Sequence, residues 1–309
     1  MLSSLTYPVG SESYTITIRS RRRLEFFRMS WIENIVLAIV QGLTEFVPIS
    51  STAHLRIVPA LFGWGDPGAA FSAVIQIGTL VAVLWYFWRD VLRIFSAMFA
   101  DLRRGRLATT HDARLGWMIA AGTLPIIVCG LAFRTQIETT LRSLYVMAAA
   151  LAGVAALLAL AEWWVRVRRA AGIEGRELDR VTWRDAIVVG FAQAAALVPG
   201  TSRSGATILG GLCCGLTREA AARFSFLLSI PSIFAAGAFQ LIEAREELLS
   251  SSSQVAKLLV ALVVTAVVGY ATIPWLLAFL RRRTTLVFIL YRLLVAGQLL
   301  YLLASGRIT

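Results

Sequence analysis

Two short polar clusters interrupt strongly apolar sequence, and their residue types could carry out hydrolysis. In the first cluster Gln41 and Glu45 are four residues apart, so on a helix both side chains project from one face and can share a cation or a water. Hydroxyl groups and one imidazole follow Glu45 closely in the chain. A carboxylate, a hydroxyl nucleophile candidate and an imidazole at this spacing form a hydrolytic constellation. The candidate residues of this cluster are Gln41, Glu45, Ser50, Ser51, Thr52 and His54.

The second cluster follows Pro199 and has the composition of an anion site. It combines hydroxyl groups, small residues that expose backbone N–H groups ahead of a helix, and the guanidinium of Arg203. Phosphate binds well to such a set, through bidentate contacts with Arg and through the helix N-terminus. Together with hydroxyls of the first cluster, these residues are the candidates for substrate binding: Ser50, Thr52, Thr201, Ser202, Ser204 and Gly205.

Glu45 and Arg203 are the residues of these clusters that are hardest to explain as structural. An ionisable group at the depth of the membrane midplane needs a partner, so we predict that the two face each other across a polar cavity. Many Ser and Thr residues in membrane helices bond their own backbone, which leaves a structural alternative for the hydroxyl groups. A lone His is often a satisfied interior residue, but the polar neighbours of His54 favour a functional role.

The composition indicates an integral membrane protein. Of the 309 residues 58% are hydrophobic and 16% are charged, which is far from the usual mix of a soluble domain. The net charge of +12 would suit a nucleic-acid partner, but the Arg residues collect in short loops beside apolar segments. Membrane topology explains that pattern, so no nucleic-acid partner is expected.

The apolar segments fall into two length classes. Two short ones, 32–47 and 186–198, each run into one of the polar clusters and then into a second short apolar piece. They are predicted to form re-entrant half-helix pairs. Six longer ones are close to the roughly 20 residues that a helix needs to cross a bilayer. The six predicted transmembrane helices cover about 69–88, 116–133, 144–165, 220–242, 255–280 and 286–304.

The distribution of Arg predicts the orientation of these segments. The loops 89–115, 166–184 and 281–283 are rich in Arg and should be cytoplasmic, because Lys and Arg accumulate on that side. The loops 134–143 and 243–254 then lie outside. Six spans with two re-entrant pairs satisfy this alternation, and the first re-entrant pair then starts from the outer side.

Residues 1–28 are polar, carry several Arg residues and lack the apolar core of a signal peptide. Their charge also conflicts with the predicted outer location of the segment that follows. We therefore expect them to be disordered, or to be a mis-called extension of a chain whose natural start is Met29. Residues 29–309 are predicted to form a single membrane domain.

An internal repeat is visible when the two polar clusters are aligned on their prolines. Residues 46–51 match residues 197–202, and a second match follows around Phe71 and Phe224 with almost the same register. Either match alone would be weak, but together they support a duplication.

The repeat determines the predicted architecture. Repeat 1 covers about 32–165 and repeat 2 about 186–304, and each holds one re-entrant pair and three spans. Because three is odd, the second repeat must be inverted, which brings both re-entrant tips together near the midplane. We predict an all-α polytopic membrane protein, with six transmembrane helices and two re-entrant half-helix pairs arranged as an inverted repeat.

The two clusters resemble the signatures of the BacA-type undecaprenyl-diphosphate phosphatase family. The first signature reads QGLTEFVPISSTAH over 41–54, and the second reads PGTSRSGAT over 199–207. The resemblance covers essentially all of 29–309. The family has Glu or Gln at the opening position, and Gln41 brings no charge, so Glu45 must supply the carboxylate.

The resemblance implies a bacterial inner-membrane enzyme with an active site open to the periplasmic side. Such an enzyme hydrolyses the C55 isoprenoid diphosphate to the monophosphate carrier lipid and inorganic phosphate during peptidoglycan synthesis, and it confers bacitracin resistance when abundant. A divalent cation, Mg²⁺ or Ca²⁺, is the implied cofactor. The oligomeric state stays open, a homodimer included.

The resemblance also implies roles for individual residues. Gln41 and Glu45 would position a metal ion or a water, Ser51 and His54 would be catalytic groups, and Arg203 would clamp the diphosphate. The nucleophile stays open between Ser51, His54 and a water that Glu45 positions.

Two other functions compete with this interpretation. Inverted repeats with broken helices at the midplane are the usual architecture of secondary transporters, so a transporter or lipid flippase is the alternative. A membrane lipid phosphatase of the acid-phosphatase-like type would need a second catalytic His and a Lys. The chain offers only His54, His111 and Lys257, and His111 is in a predicted cytoplasmic loop.

Overall fold

The computed structural model describes residues 4–9, 12–17, 29–248 and 251–306. Strands β1 (Ser4–Val9) and β2 (Glu12–Thr17) pair as an antiparallel hairpin ahead of the helices. Residues 18–28 lie outside the described part of the chain. The expectation that residues 1–28 are disordered or mis-called therefore stays a prediction, as does the single membrane domain over 29–309.

From residue 31 onward, the regular structure of the described residues is helical. The helices are α1 (Trp31–Phe46), α2 (Ser51–Phe62), α3 (Gly68–Tyr86), α4 (Trp88–Arg103), α5 (His111–Ala132), α6 (Arg134–Glu138), α7 (Leu144–Ala170), α8 (Trp183–Ala195), α9 (Arg203–Cys213), α10 (Arg218–Glu243), α11 (Arg245–Leu248), α12 (Ser252–Arg282) and α13 (Leu286–Ala304).

Five of these helices, α5, α7, α10, α12 and α13, are long and apolar enough to cross a membrane. Helices α3 and α4 pass the same test only when they are taken together, and they meet at an angle of 79°. Counting this bent pair as one crossing gives six, the predicted number. For the described residues from 31 onward, the prediction of an all-helical polytopic membrane protein is confirmed.

Helix α4 occupies a region that the sequence predicted to be a loop, 89–115. Its exposed face carries Trp88, Leu92, Phe95 and Phe99 at helical spacing. A helix with such an apolar stripe, several Arg residues and a sharp bend away from a span is suited to the membrane surface. The sequence predicted a loop here because the segment is highly charged, although its apolar residues have helical periodicity.

The first predicted half-helix pair corresponds to α1 and α2. The two helices have 16 and 12 residues, or about 24 and 18 Å of length, so neither can cross a hydrocarbon core of about 30 Å. Ser30 opens α1 with a reciprocal capping box with Glu33. The chain leaves helical geometry at Val47, directly before Pro48, because the residue before a proline disfavours the helical conformation.

Both outer ends of this pair lie at one end of the bundle. Near the start of α1, Asn34 Nδ2 donates to the carbonyl oxygen of Lys257 in the first turns of α12, at 2.8 Å. Just after α2, Asp66 accepts from Arg142, two residues before α7, at 3.3 Å. An ion pair of Arg134 with Glu243 brings the ends of α5 and α10 to the same place. We call this the Glu243 end of the bundle.

The second pair, α8 and α9, returns to the opposite end, where Arg176 closes both of its outer termini. Its guanidinium donates to both carboxylate oxygens of Asp185 in the first turn of α8, at 2.7 and 2.8 Å, and to the carbonyl oxygen of Cys214 just after α9, at 2.8 Å. The hydrogen bond to Asp185 raises the pKa of Arg176 above its ordinary value, so this clamp stays charged at physiological pH.

Each first half-helix packs along a span of the other predicted repeat: α1 along α12, and α8 along α5. Glycines permit these close approaches, since a Cβ on Gly190 would lie 2.5 Å from the carbonyl oxygen of Gly122, and one on Gly42 would lie 2.8 Å from Val268. In the predicted inverted repeat, the first half-helix of each repeat should pack against a span of the other repeat, as is seen here. The repeat itself stays a prediction.

Candidate active site

The two breaks between half-helices have the same local structure. Ser50 caps α2 and Ser202 caps α9, with positive φ angles of 77° and 72°. Each hydroxyl accepts a hydrogen bond from the backbone N–H three residues on, from Ala53 at 3.4 Å and from Gly205 at 3.1 Å. A residue other than Gly held at such an angle stores about 1–3 kcal/mol of strain, so neighbouring contacts must hold both caps in place.

Each capping hydroxyl lies next to a second hydroxyl. Ser50 Oγ is 3.1 Å from Thr52 Oγ1, and Ser202 Oγ is 3.1 Å from Ser204 Oγ. Ser204 also donates to the carbonyl oxygen of Val47 at 3.0 Å, which joins the second break directly to the first. Four of the predicted substrate-binding hydroxyls therefore lie in two pairs, one at each break.

This geometry corrects the register of the proposed repeat. The alignment on the prolines equated Ser50 with Thr201, whereas the caps equate Ser50 with Ser202, because the second break has one more residue between its proline and its cap. Ser51 and Arg203 consequently hold equivalent positions, each directly after a cap.

The side chain of Glu45 stands where the two tips meet, and it is only 4% exposed. Ser51 Oγ donates to Glu45 Oε2 at 2.6 Å, and Gln41 Nε2 donates to the same oxygen at 2.7 Å. Arg203 Nη2 donates to the other oxygen, Oε1. The structure thus brings together the predicted carboxylate, hydroxyl and guanidinium, with Glu45 as their common partner.

Arg203 extends this polar group toward α10 and α8. Its Nη1 donates to Ser232 Oγ at 3.3 Å, and Ser232 Oγ donates to Gln193 Oε1 at 3.1 Å. Gln41 and Gln193 are fully buried, and among the described residues Gln41 Oε1 and Gln193 Nε2 have no hydrogen-bond partner. Buried polar atoms without partners cost free energy, so they are candidates to bind a ligand group.

Arg292 of α13 is a central residue that the sequence analysis missed. Its side chain is 0% exposed, and it donates only to backbone carbonyl oxygens, at 3.0–3.2 Å. The available signal was an Arg within an otherwise apolar span, but its partners are distant in the chain. The carbonyl oxygens belong to Pro48, Ala150, Leu151, Gly200 and Thr201.

His54 has hydrogen-bond partners other than Ser51, whose hydroxyl is bonded to Glu45. His54 Nδ1 lies 2.7 Å from the carbonyl oxygen of Ser50, and its Nε2 lies 2.8 Å from the hydroxyl of Tyr291 on α13. Because a carbonyl oxygen can only accept, Nδ1 carries the ring proton of the neutral imidazole. The structure therefore pairs the serine with the carboxylate and gives the imidazole separate partners.

The remaining predicted binding residues line the same junction in different ways. Thr201 is buried and contributes its carbonyl oxygen to Arg292. Gly205 is packed so closely that an added Cβ would lie 3.1 Å from Ser202 Cβ and 3.3 Å from Arg292 Nη1. Thr52 is partly exposed on the outward face of α2.

The donor set suits a hard cation only if the substrate supplies further ligands. The described residues contain no group of three or more His, Cys, Asp or Glu side chains that could hold a metal ion. Glu45 offers one carboxylate, and Gln41 Oε1 is a buried oxygen without a partner. Mg²⁺ is commonly bound by one or two carboxylates together with substrate phosphates, and these residues fit that arrangement.

A helical polytopic bundle in which two broken helix pairs meet at a carboxylate, a serine and a guanidinium defines a membrane protein with an internal polar cluster. The chain belongs to the BacA family, because the family model described as Bacitracin resistance protein BacA matches residues 34–298. This match includes both breaks, and the resemblance that the two signatures predicted is confirmed.

Individual relatives agree with this assignment. The chain is 54% identical over 280 residues to an undecaprenyl-diphosphatase of Chlorobium phaeovibrioides, which covers 91% of this chain and 99% of that protein. An undecaprenyl-diphosphatase of Prosthecochloris aestuarii has the same identity and coverage. One of Chlorobaculum tepidum is 52% identical over the same shares of both chains.

Proposed function

We propose that this protein is an undecaprenyl-diphosphatase, which hydrolyses the C55 isoprenoid diphosphate to undecaprenyl phosphate and inorganic phosphate. The observation that carries the proposal is the hydrogen bond from Ser51 to Glu45 beside Arg203, at the junction of the two breaks. A nucleophile and a base within hydrogen-bond reach, next to a cation, are the parts that phosphoryl transfer requires. The names of relatives at 51–54% identity agree with it.

Ser51 is the nucleophile that this geometry favours. Its proton passes to Glu45 Oε2 as Oγ attacks the outer phosphorus, a bond from Oγ to phosphorus forms, and the bridging P–O bond breaks to release the lipid monophosphate. A water then attacks the phosphoserine, inorganic phosphate leaves with the oxygen of that water, and the proton held by Glu45 returns to Ser51 Oγ. Attack by His54 would first require Nε2 to leave Tyr291, and a water positioned by Glu45 is the other alternative.

During this cycle the guanidinium of Arg203 can bind either Glu45 or the diphosphate of the substrate. In the structure its Nη2 donates to Glu45 Oε1, so the carboxylate is already engaged. A diphosphate carries more negative charge than Glu45 and offers bidentate oxygens, so it would draw the guanidinium away and leave Glu45 free to accept a proton. Binding of substrate would thereby activate the base.

The local charge favours an anionic substrate. Glu45 is one negative charge, whereas Arg203 and the buried Arg292 are two positive charges at the same junction. The backbone N–H groups at the start of α9 add the positive end of a helix dipole. In a site shielded from water, this balance stabilises a diphosphate more strongly than it would at a surface.

A divalent cation, Mg²⁺ or Ca²⁺, completes the proposal. Glu45 and Gln41 Oε1 would hold it together with phosphate oxygens of the substrate. When bound, such an ion would neutralise the diphosphate and polarise the phosphorus under attack.

In this proposal the lipid tail of the substrate stays in the bilayer, and its head group enters the site from the outer side of the membrane. Tyr291, next to the site, is 41% exposed and faces the region that lipid would occupy, so the tail can stay in the bilayer. Partly exposed residues of α2, Thr52 and Arg56, lead from the tip to the Glu243 end. Because the Arg-rich loops lie at the opposite end, the Glu243 end is proposed to face the periplasm of a bacterial inner membrane. Undecaprenyl diphosphate and the bilayer are the proposed partners, and a homodimer stays an open prediction.

The test is phosphate release from undecaprenyl diphosphate by purified protein in detergent, with and without EDTA. Ser51→Ala and Glu45→Gln should each lower the rate by about 10²–10⁴, the usual contribution of such groups. Ser96→Ala and Glu174→Gln are matched controls on α4 and on an exposed loop, and they should retain the wild-type rate.

Other outcomes would redirect the proposal. Activity that survives in Ser51→Ala but not in Glu45→Gln would favour direct attack by water. Full activity in EDTA would remove the divalent cation from the proposal. Tight lipid binding with no release by the wild type would favour the transporter alternative.

A further inference from the structure

Tyr291 makes the most informative contact that the proposed reaction leaves unexplained. Its hydroxyl lies 2.8 Å from Nε2 of His54, and the two rings are stacked with centroids 5.6 Å apart and planes within 8°. His54 Nδ1 carries the ring proton and donates it in a hydrogen bond to the carbonyl oxygen of Ser50. Nε2 therefore has a free lone pair, and the phenol of Tyr291 donates to it. The Tyr291 hydroxyl therefore occupies the one ring nitrogen that could take part in proton transfer or attack.

The surroundings of Tyr291 place it between this imidazole and the lipid. His54 is 7% exposed, whereas Tyr291 and its helical neighbours Leu290 and Leu294 are exposed on the outer face of α13. In a membrane that face contacts acyl chains. A prenyl diphosphate whose tail stays in the bilayer must bring its head group past this boundary.

The next residue, Arg292, determines what can move here. Its guanidinium is fully buried and is bonded to carbonyl oxygens of both breaks, so the backbone of α13 is fixed relative to the tips at this height. The side chain of Tyr291, in contrast, has one hydrogen bond to His54 and a lipid-facing ring. Rotation of this side chain can release Nε2 without any movement of the helix.

We propose that Tyr291 is a positioning residue that caps Nε2 of His54 from the lipid side and yields it to the head group of the incoming prenyl diphosphate. This inference rests on the proposed function. In the resting protein the hydroxyl keeps the imidazole in one orientation and one tautomer, apart from the Ser51–Glu45 pair. When the hydroxyl moves aside, Nε2 faces the position of the phosphates and can bond to them.

The contact can be tested without any turnover, because the chain has only two histidines, His54 and His111. Diethyl pyrocarbonate acylates an unprotonated imidazole nitrogen that is not otherwise engaged, and peptide mass spectrometry gives the rate at each His. In Tyr291→Phe the ring and its packing remain but the cap is gone. Losing one hydrogen bond should raise the acylation rate of His54 about five- to tenfold.

The same protein carries its own controls. His111 lies on α5 at the other end of the bundle, and its acylation rate should be unchanged in Tyr291→Phe, which also reports that the variant is folded. Tyr301→Phe, on an exposed position of the same helix, should leave both rates as in the wild type. An unchanged rate at His54 in Tyr291→Phe would overturn the proposed cap.

A double-mutant cycle tests whether Tyr291 acts through His54. With farnesyl diphosphate as the probe, Tyr291→Phe should lower KM about five- to tenfold with little change in kcat, because the cap is present only in the free protein, and His54→Gln should lower kcat. The double variant should match His54→Gln, since a positioning residue has no effect once its partner is gone. A double variant in which the two effects add would overturn the proposal. A wild type that releases no phosphate would refute the proposed function and leave the acylation result to decide the contact.

Discussion

The partly buried Arg203 and the fully buried Arg292 have different roles at the junction of the tips. Arg203 binds the side chains of Glu45 and Ser232, so it can exchange partners when an anion arrives. Arg292 binds only carbonyl oxygens of the chain, which have no reason to leave it. A guanidinium has five N–H donors in a planar fork, so it can join several carbonyl groups at once, and an ammonium cannot reproduce this geometry. At the scale of residues, Arg203 is able to bind a substrate because Arg292 fixes the backbone of both tips.

This difference predicts the effect of Arg292→Lys. The charge is kept, but most of the carbonyl oxygens around it lose their donor, and each buried unsatisfied group costs about 1–3 kcal/mol. We expect a lower melting temperature in detergent and loss of phosphate release, because both tips lose their anchor. Arg282→Lys, at the exposed end of α12, is the matched control and should behave as the wild type. A variant at position 292 with wild-type melting and activity would contradict the anchoring role.

The helix breaks depend on backbone positions as much as on side chains. Gly200 has a φ of +96°, and a Cβ there would lie 2.5 Å from the carbonyl oxygen of Met147 on α7. The break can therefore press against α7 only because this residue has no side chain. The carbonyl oxygen of Gly200 is in turn one of the acceptors of Arg292. At the scale of elements, close contact between a break and a span fixes the height of the second tip.

Gly200→Ala is predicted to displace this tip. The unfavourable φ alone costs about 1–3 kcal/mol, and the clash with Met147 adds to it. Thermal unfolding in detergent should show the loss of stability, and phosphate release should fall by more than the loss of folded protein explains. Gly153→Ala on α7 is the control, since nothing lies within 4 Å of an added Cβ, and it should be neutral or stabilising by up to about 1 kcal/mol. Equal behaviour of the two variants would contradict the prediction.

At the scale of the whole molecule, the two ends of the bundle differ in charge and in what they close. At one end, buried Glu162 of α7 accepts from Arg218 Nε at 2.9 Å and from the backbone N–H of Thr285 at 2.8 Å, which ties together α7, α10 and the start of α13. Arg176 closes the second half-helix pair close to that point. The other end carries the outer termini of the first pair. The bundle is therefore tightly clamped at its Arg-rich end.

The orientation of the bundle can be measured by cysteine labelling. In a background without Cys129, Cys213 and Cys214, a cysteine at Gln136 should react with a membrane-impermeant maleimide in intact spheroplasts. A cysteine at Glu174 should react only after the membrane is opened. The reason is that Arg-rich loops remain cytoplasmic. The reverse labelling pattern would place the site on the other leaflet and exclude a periplasmic opening.

Several parts of the fold and site were accessible from the sequence for identifiable reasons. Membrane spans and the two broken pairs could be predicted because hydrocarbon requires long apolar runs and tolerates polar residues only where they find partners. The same rule predicted that Glu45 and Arg203 would meet. Helix α4 was missed because its many charged residues are typical of a loop. The repeat was aligned one residue out of register because the alignment matched Pro48 with Pro199, whereas the structurally equivalent positions are the helix caps Ser50 and Ser202.

The sequence by itself determined the class of protein, the segments that cross or re-enter the membrane, and the polar residues that must find one another there. Only the tertiary structure decided the pairings: Ser51 with Glu45, His54 with Tyr291, and both tips with Arg292. The physical reason is that the composition of a short segment shows whether it must be buried in lipid or protein. A hydrogen bond, in contrast, needs its two atoms within about 3 Å. Partners far apart in the chain, such as His54 with Tyr291 and Pro48 with Arg292, come that close only when the helices have packed.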